Sequence, residues 1–171
     1  FPIQISLVAY PASTKDNIIS GTTYKVIKVR DEILTQDITL PKRDFGGKNN
    51  IPYYFERYEI GTSASLEINP GVICKFGEQY WWQESGLYVN RGLKAIGGST
   101  PDSIIVFTSI TDDFYGGDSN ADGHGGQIRW GGIRFADLSL DPLCELKNCY
   151  IRFADKGIST YSSSPTIRNS N

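Results

Sequence analysis

The sequence predicts an all-β solenoid. Three observations carry that expectation. The 171 residues include 18 Gly, 8 Pro and 10 Tyr among many Ile, Thr, Val and Ser, the composition of a turn-dense β protein. From Tyr58 onward, short alternating strands are punctuated by Gly, Pro and Asn every few residues. Finally, Ile133-Arg134-Phe135-Ala136-Asp137 recurs letter for letter as Ile151-Arg152-Phe153-Ala154-Asp155, and internal repetition of units too small to bury their own apolar face is the mark of a stacked coil.

The elements follow in order. Ile3, Ile5 and Leu7 alternate with Gln4 and Ser6 as in a half-buried strand, and further strands are expected over 24–29 and 33–40. Pro41 and the glycine-rich stretch 44–50 supply a turn-rich connection, so residues 1–50 read as an N-terminal β segment or cap and 51–171 as the main body. In that body Leu66 and Ile68 flank Glu67, and Asn69-Pro70-Gly71 turns the chain into a strand whose Val72, Cys74 and Phe76 share one face. Leu87 and Val89 flank Tyr88, and Leu93 and Ala95 flank Lys94 in the same way. Ile104-Ile105-Val106-Phe107 is apolar throughout, as expected of a strand that is buried on both faces or carries an interface. In the repeated pentapeptide an apolar residue precedes an arginine, which places the same face inward each time and the charge outward; Ile128-Arg129-Trp130 and Ile167-Arg168-Asn169 are weaker echoes.

These stretches carry a family likeness. Ser65-Leu66-Glu67-Ile68-Asn69-Pro70-Gly71-Val72, Gly86-Leu87-Tyr88-Val89-Asn90, Gly92-Leu93-Lys94-Ala95-Ile96-Gly97, Ile105-Val106-Phe107-Thr108-Ser109, Trp130-Gly131-Gly132-Ile133 and Ser163-Ser164-Pro165-Thr166-Ile167-Arg168-Asn169 together resemble the right-handed parallel β-helix repeat proteins that bacteria and archaea secrete or display. The resemblance spans about residues 58–171. It implies a right-handed parallel β-helix and an extracellular or cell-surface location. Because that fold hosts adhesins, surface-layer pieces, tailspikes, polysaccharide lyases and glycosidases, it does not select one activity.

Charge and length exclude some classes. Seventeen basic against nineteen acidic residues give a net charge of −2, which offers no footprint for nucleic acid. No apolar run approaches the ~20 residues needed to span a bilayer, so membrane insertion is not expected. A chain without Met, even at position 1, reads as a processed or excised piece of a longer product. Cys74, Cys144 and Cys149 match no zinc spacing and read either as small buried apolar residues or, for the last two, as a bridge.

One stretch departs from the strand rhythm. Residues 112–125 gather Asp112, Asp113, Asp118, Asn120 and Asp122 among glycines, a composition suited to an oxygen-rich ion site, and calcium is the expected guest. Asp118, Asn120 and Asp122 fall at positions 1, 3 and 5 of an EF-hand-type loop, with Gly123 at the bend and a His124 carbonyl at position 7. Arg129 stands where that loop has its bidentate glutamate, so Asp112, Asp113, carbonyls or water must complete the shell. In relatives of the resembled family the corresponding stretch is an insertion read as calcium-binding.

No catalytic residue is assigned. His124 is the only histidine and reads as a turn residue, while Asp137 and Asp155 read as turn formers after strands more readily than as paired carboxylates. Arg134, Arg152 and Arg168 read as a solvated ladder. Because two adjacent tryptophans cannot both enter a thin coil, Tyr80-Trp81-Trp82 reads either as a glycan or protein contact or as packing against the N-terminal segment. The expected function is therefore an extracellular structural or adhesive module, calcium-stabilised, attaching to surface polysaccharide or to further copies of itself. The competing expectation is a polysaccharide lyase or glycosidase. The segment 164–169 begins another coil, which predicts end-to-end or strand-donating assembly.

Overall fold

The computed structural model describes residues 1–12, 16–80, 84–123, 125–126 and 128–171. The chain is all-β, with three parallel sheets, an arrangement consistent with a parallel β-helix. Its strands are β1 (Ile3–Ile5), β2 (Ile27–Val29), β3 (Ile33–Leu34), β4 (Ile38–Leu40), β5 (Tyr53–Phe55), β6 (Arg57–Ile60), β7 (Ser65–Ile68) and β8 (Ile73–Phe76). They continue as β9 (Gly86–Val89), β10 (Gly92–Ile96), β11 (Ile105–Ser109), β12 (Ile133–Phe135), β13 (Cys144–Lys147), β14 (Cys149–Ile151), β15 (Ile158–Thr160) and β16 (Thr166–Arg168).

Sheet I runs β1-β2-β5-β8-β11-β14, sheet II runs β3-β6-β9-β12-β15, and sheet III runs β4-β7-β10-β13-β16. From β2 onward the chain visits sheets I, II and III in strict rotation, so three successive strands make one coil and the next coil pairs with it in parallel. Strands this short have no independent stability; each is held by the hydrogen bonds and side-chain ladders of its neighbours.

The ladders explain the alternation in the sequence. In sheet III, Leu40, Ile68, Ala95, Leu146 and Ile167 occupy equivalent positions, and in sheet II so do Leu34, Ile60, Val89, Phe135 and Thr160. Leu40, Ile68, Ala95 and Leu146 are buried, and the same holds for the first four of the sheet II series. Each such Leu, Ile, Val or Phe contributes roughly 1.5–3 kcal/mol by leaving water. At one corner between sheets I and II the rings of Phe55, Phe76 and Trp130 stack through successive coils. Cys74, Cys144 and Cys149 are free and buried, so they fill the core as small apolar residues and no bridge joins the last two.

Pairing continues across residue 50. Ile27 pairs with Tyr53, Leu34 with Ile60 and Leu40 with Ile68, so β2, β3 and β4 form a coil of the same stack, with β1 added as one further strand of sheet I. The single strand expected over 33–40 is two strands of different sheets with a corner between them.

The repeated pentapeptide is not the coil repeat, and here the sequence expectation is corrected. Ile133 to Phe135 form β12 in sheet II, where Ile133 pairs with Leu87 and Ile158 and Phe135 is fully buried. Its identical copy starts at the end of β14 in sheet I and then turns, with Phe153 at φ 55° and 37% exposed. Coil length varies because corners carry insertions of different size, so equal letters eighteen positions apart do not reach equal places. Gly132 marks how tightly the coils approach: its φ is +105°, and a Cβ there would lie 1.6 Å from the Lys156 carbonyl oxygen.

Among the described residues no helix is long and apolar enough to cross a membrane.

Candidate metal centre on the lateral loop

The insertion after β11 folds back over the outer face of sheet I. The outward ladder of that sheet is Lys28, Tyr54, Lys75 and Thr108, and the loop covers the last two. Every residue of β11 is consequently buried, the apolar Ile105 to Phe107 as the sequence anticipates and the polar Thr108 and Ser109 with them. Gly116 lies flat against the sheet at φ +76°, where a Cβ would stand 2.3 Å from the Pro52 ring. The loop is closed at its base by Gly126 N–H donating to the Thr111 carbonyl at 3.0 Å. On its outer side the Lys25 N–H donates to the Ser119 carbonyl at 2.8 Å.

Lys75 is the organising residue beneath. Its side chain is inaccessible to solvent. The ammonium donates to the Asp112 carbonyl at 2.8 Å, the Gly117 carbonyl at 3.0 Å and Ser119 Oγ. Burial pushes its pKa down to about 8, opposed by the negative charges of Asp112, Asp113 and Asp118. Three acceptors occupy its three N–H groups, so the amine presents no lone pair to a substrate. Ser119 is likewise buried, and its hydroxyl donates to the Gly117 carbonyl at 2.9 Å. The Ser119–Lys75 contact is therefore a structural tie with none of the access that a nucleophile and base need.

Asp112 belongs to the same tie. Its carboxylate is 3% exposed and accepts hydrogen bonds from Thr108 Oγ1 at 2.7 Å, Phe114 N–H at 3.1 Å and Arg152 Nε at 3.0 Å. Both oxygens are thus engaged by protein donors, and the group stands apart from the other acids of the loop.

Those others converge. One carboxylate oxygen each of Asp113, Asp118 and Asp122 lies within 4.8 Å of the other two, as oxygens on opposite sides of a cation with bonds of ~2.3–2.6 Å would. Asn120 joins them through its Nδ2, which donates to Asp122 Oδ2 at 2.7 Å. Three oxygens here, Asp113 Oδ1, Asp118 Oδ1 and Asn120 Oδ1, are shielded from solvent and accept no hydrogen bond. Burial, then repulsion from Asp118 and Asp122, raises the Asp113 pKa, with Lys75 opposing. Unpartnered acceptors beside mutually repelling carboxylates fit a hard cation that takes oxygen ligands. Ala121 at φ 58° and Gly123 at φ +75° make the bends that let alternate side chains face one point.

The remaining candidates are dispersed. Tyr80 is 38% exposed, donates its hydroxyl to the Glu78 carboxylate, and lines a cavity of about 260 Å³ with Tyr24, Tyr54 and Asn120. Trp81, Trp82 and His124 lie outside the described residues. Asp137 is exposed in the turn after β12, whereas Asp155 lines a cavity of about 150 Å³ on the outer face of sheet II with Glu84, Arg134 and Tyr161. The three arginines form no common ladder: Arg134 stacks over Tyr161 at 4.3 Å beside sheet II, Arg152 clamps Asp112, and Arg168 sits in sheet III.

Sequence reasoning missed Lys75, Thr108, Ser119 and Arg152. Lys75 occupies an outward position, which ordinarily means solvent. The signal is in the neighbouring strand: the apolar run 104–107 that leads into β11 requires something to cover its outer face, and the loop that does so also covers Lys75. Comparison with protein-family models, curated proteins and solved structures finds no match to this chain.

Proposed function

We propose that the chain is a right-handed parallel β-helix serving as a rigid extracellular structural or adhesive module, with calcium held by Asp113, Asp118, Asp122 and Asn120 on its lateral loop. The observation that carries this reading is the convergence of the Asp113, Asp118 and Asp122 carboxylates, with unpartnered oxygens on Asp113, Asp118 and Asn120, on a loop whose base is already tied to the coil. A site of few charged ligands on a surface loop suits the high calcium levels outside cells. The outer face of sheet II supports the attachment role. There Arg57 stacks over Tyr88 at 4.7 Å and Arg134 over Tyr161 at 4.3 Å, giving ring faces and guanidinium donors suited to surface polysaccharide. Self-association through the flanks is the other mode of attachment.

A second reading, a polysaccharide lyase or glycosidase, rests on Asp155 and Glu84 lining one cavity beside Arg134. Incubation with a panel of acidic and neutral polysaccharides separates the two. The module reading expects retention on the polymer, weakened in Tyr88→Ala and Tyr161→Ala, with polymer length unchanged. Release of new chain ends that is abolished by Asp155→Asn would establish the enzyme instead.

A further inference from the structure

The loop carries its own counter-charges, and their number is specific. Asp112, Asp113, Asp118 and Asp122 bring four negative charges into one short segment. Two cations are bonded to that segment from the coil: Lys75, through two carbonyls and Ser119 Oγ, and Arg152, through the Asp112 carboxylate at 3.0 Å. Arg152 offsets Asp112, which leaves the three converging carboxylates of Asp113, Asp118 and Asp122 against the single charge of Lys75, a net of two negative charges for the loop. Asp113 Oδ1 and Asp118 Oδ1 of that cluster, and Oδ1 of the neighbouring Asn120, are shielded and have no hydrogen-bond partner.

Resting on the calcium reading above, we propose that Lys75 and Arg152 are specificity-determining residues, which set the net charge of the loop at the value a divalent ion neutralises and so discriminate against trivalent ions of similar size. Neither is among the proposed ligands. Lys75 sits beneath the loop, bonded to Gly117 and Ser119 on either side of Asp118, and its charge is felt at Asp113 and Asp118. Arg152 cancels Asp112, whose two oxygens are both taken by protein donors. Charge count and rigidity are the levers that tune oxygen-cage affinity, and removing one positive charge strengthens attraction for a trivalent ion more than for a divalent one.

The test measures calcium and lanthanum binding by titration calorimetry in the intact chain, in Lys75→Met, in Arg152→Gln and in the charge-conserving Arg152→Lys. The lanthanum-to-calcium affinity ratio is expected to rise on the order of tenfold in Lys75→Met and Arg152→Gln and to stay near the parent value in Arg152→Lys. Arg152 is partly exposed, so its variants decide the question if Lys75→Met does not fold. A ratio unchanged while both ions weaken alike would overturn the proposal and leave the two residues as supports of the loop. Absence of binding by the parent chain would instead overturn the calcium reading itself.

Discussion

Phe76 lies face to face with Trp130, their ring centroids 4.1 Å apart and their planes 9° from parallel. Phe76 closes β8 and Trp130 precedes β12, so the pair bridges one coil to the next at the corner of sheets I and II. The Trp130 indole N–H also donates to the Arg152 carbonyl at 2.7 Å, which links the stack to the chain that clamps the lateral loop. Trp130→Ala is expected to cost ~3–5 kcal/mol, as for other large buried rings. Ile167→Ala, at a position 44% exposed, should cost less than ~1 kcal/mol. Urea titrations followed by circular dichroism check both.

The two copies of the pentapeptide should respond unequally. Phe135→Ala removes a ring with no solvent exposure and is expected to lose ~3–5 kcal/mol, whereas Phe153→Ala removes one that is 37% exposed and should lose ~1 kcal/mol or less. Equal losses in paired denaturation curves would mean that the copies are equivalent after all.

Asp112 and Asp118 should separate in the same assay without added metal. Asp112→Asn weakens charge-assisted bonds to Thr108, Phe114 and Arg152 and is expected to destabilise by ~1–3 kcal/mol. Asp118→Asn removes a charge that repels Asp113, so the metal-free protein should be unchanged or slightly more stable.

Asp113 gives a pH signature. Burial and the neighbouring Asp118 and Asp122 raise its folded pKa above the ordinary 3.8, so the folded state binds its proton more tightly than the unfolded state. Ionisation therefore subtracts stability above the folded pKa, and that loss is recovered as pH falls through the folded value towards 3.8. Without calcium, Asp113→Asn should be more stable than the parent at neutral pH, and the gap should close on acidification. With calcium the order at neutral pH should reverse. Thermal melts of the two proteins across pH, with calcium and with a chelator, check the sign.

What the sequence made legible follows from period. Leu66 and Ile68, or Leu93 and Ala95, alternate because every second side chain enters the core, and that rule survives without any partner strand being known. Stacking register is different. Leu146 meets Ala95 across a long excursion while Ile167 meets Leu146 across a short one, and corner lengths so unequal hide the repeat from letter matching. In the loop, alternate spacing makes the approach of Asp118, Asn120 and Asp122 legible, whereas for Asp113 the sequence offers only proximity. The role of Asp112 was hidden because its partners, Thr108 and Arg152, come from the strand before the loop and from the coil after it. Lys75 was hidden by burial that only the folded loop creates.

The most direct measurement is calorimetric titration of calcium into the intact chain and into Asp118→Asn, with melting temperature recorded in calcium and in chelator. A single calcium site per chain is predicted, with a higher melting temperature in calcium, and both effects should be lost or strongly weakened in Asp118→Asn. No binding heat together with a melting temperature indifferent to calcium, or binding that Asp118→Asn leaves untouched, would contradict the assignment of the lateral loop as a metal site.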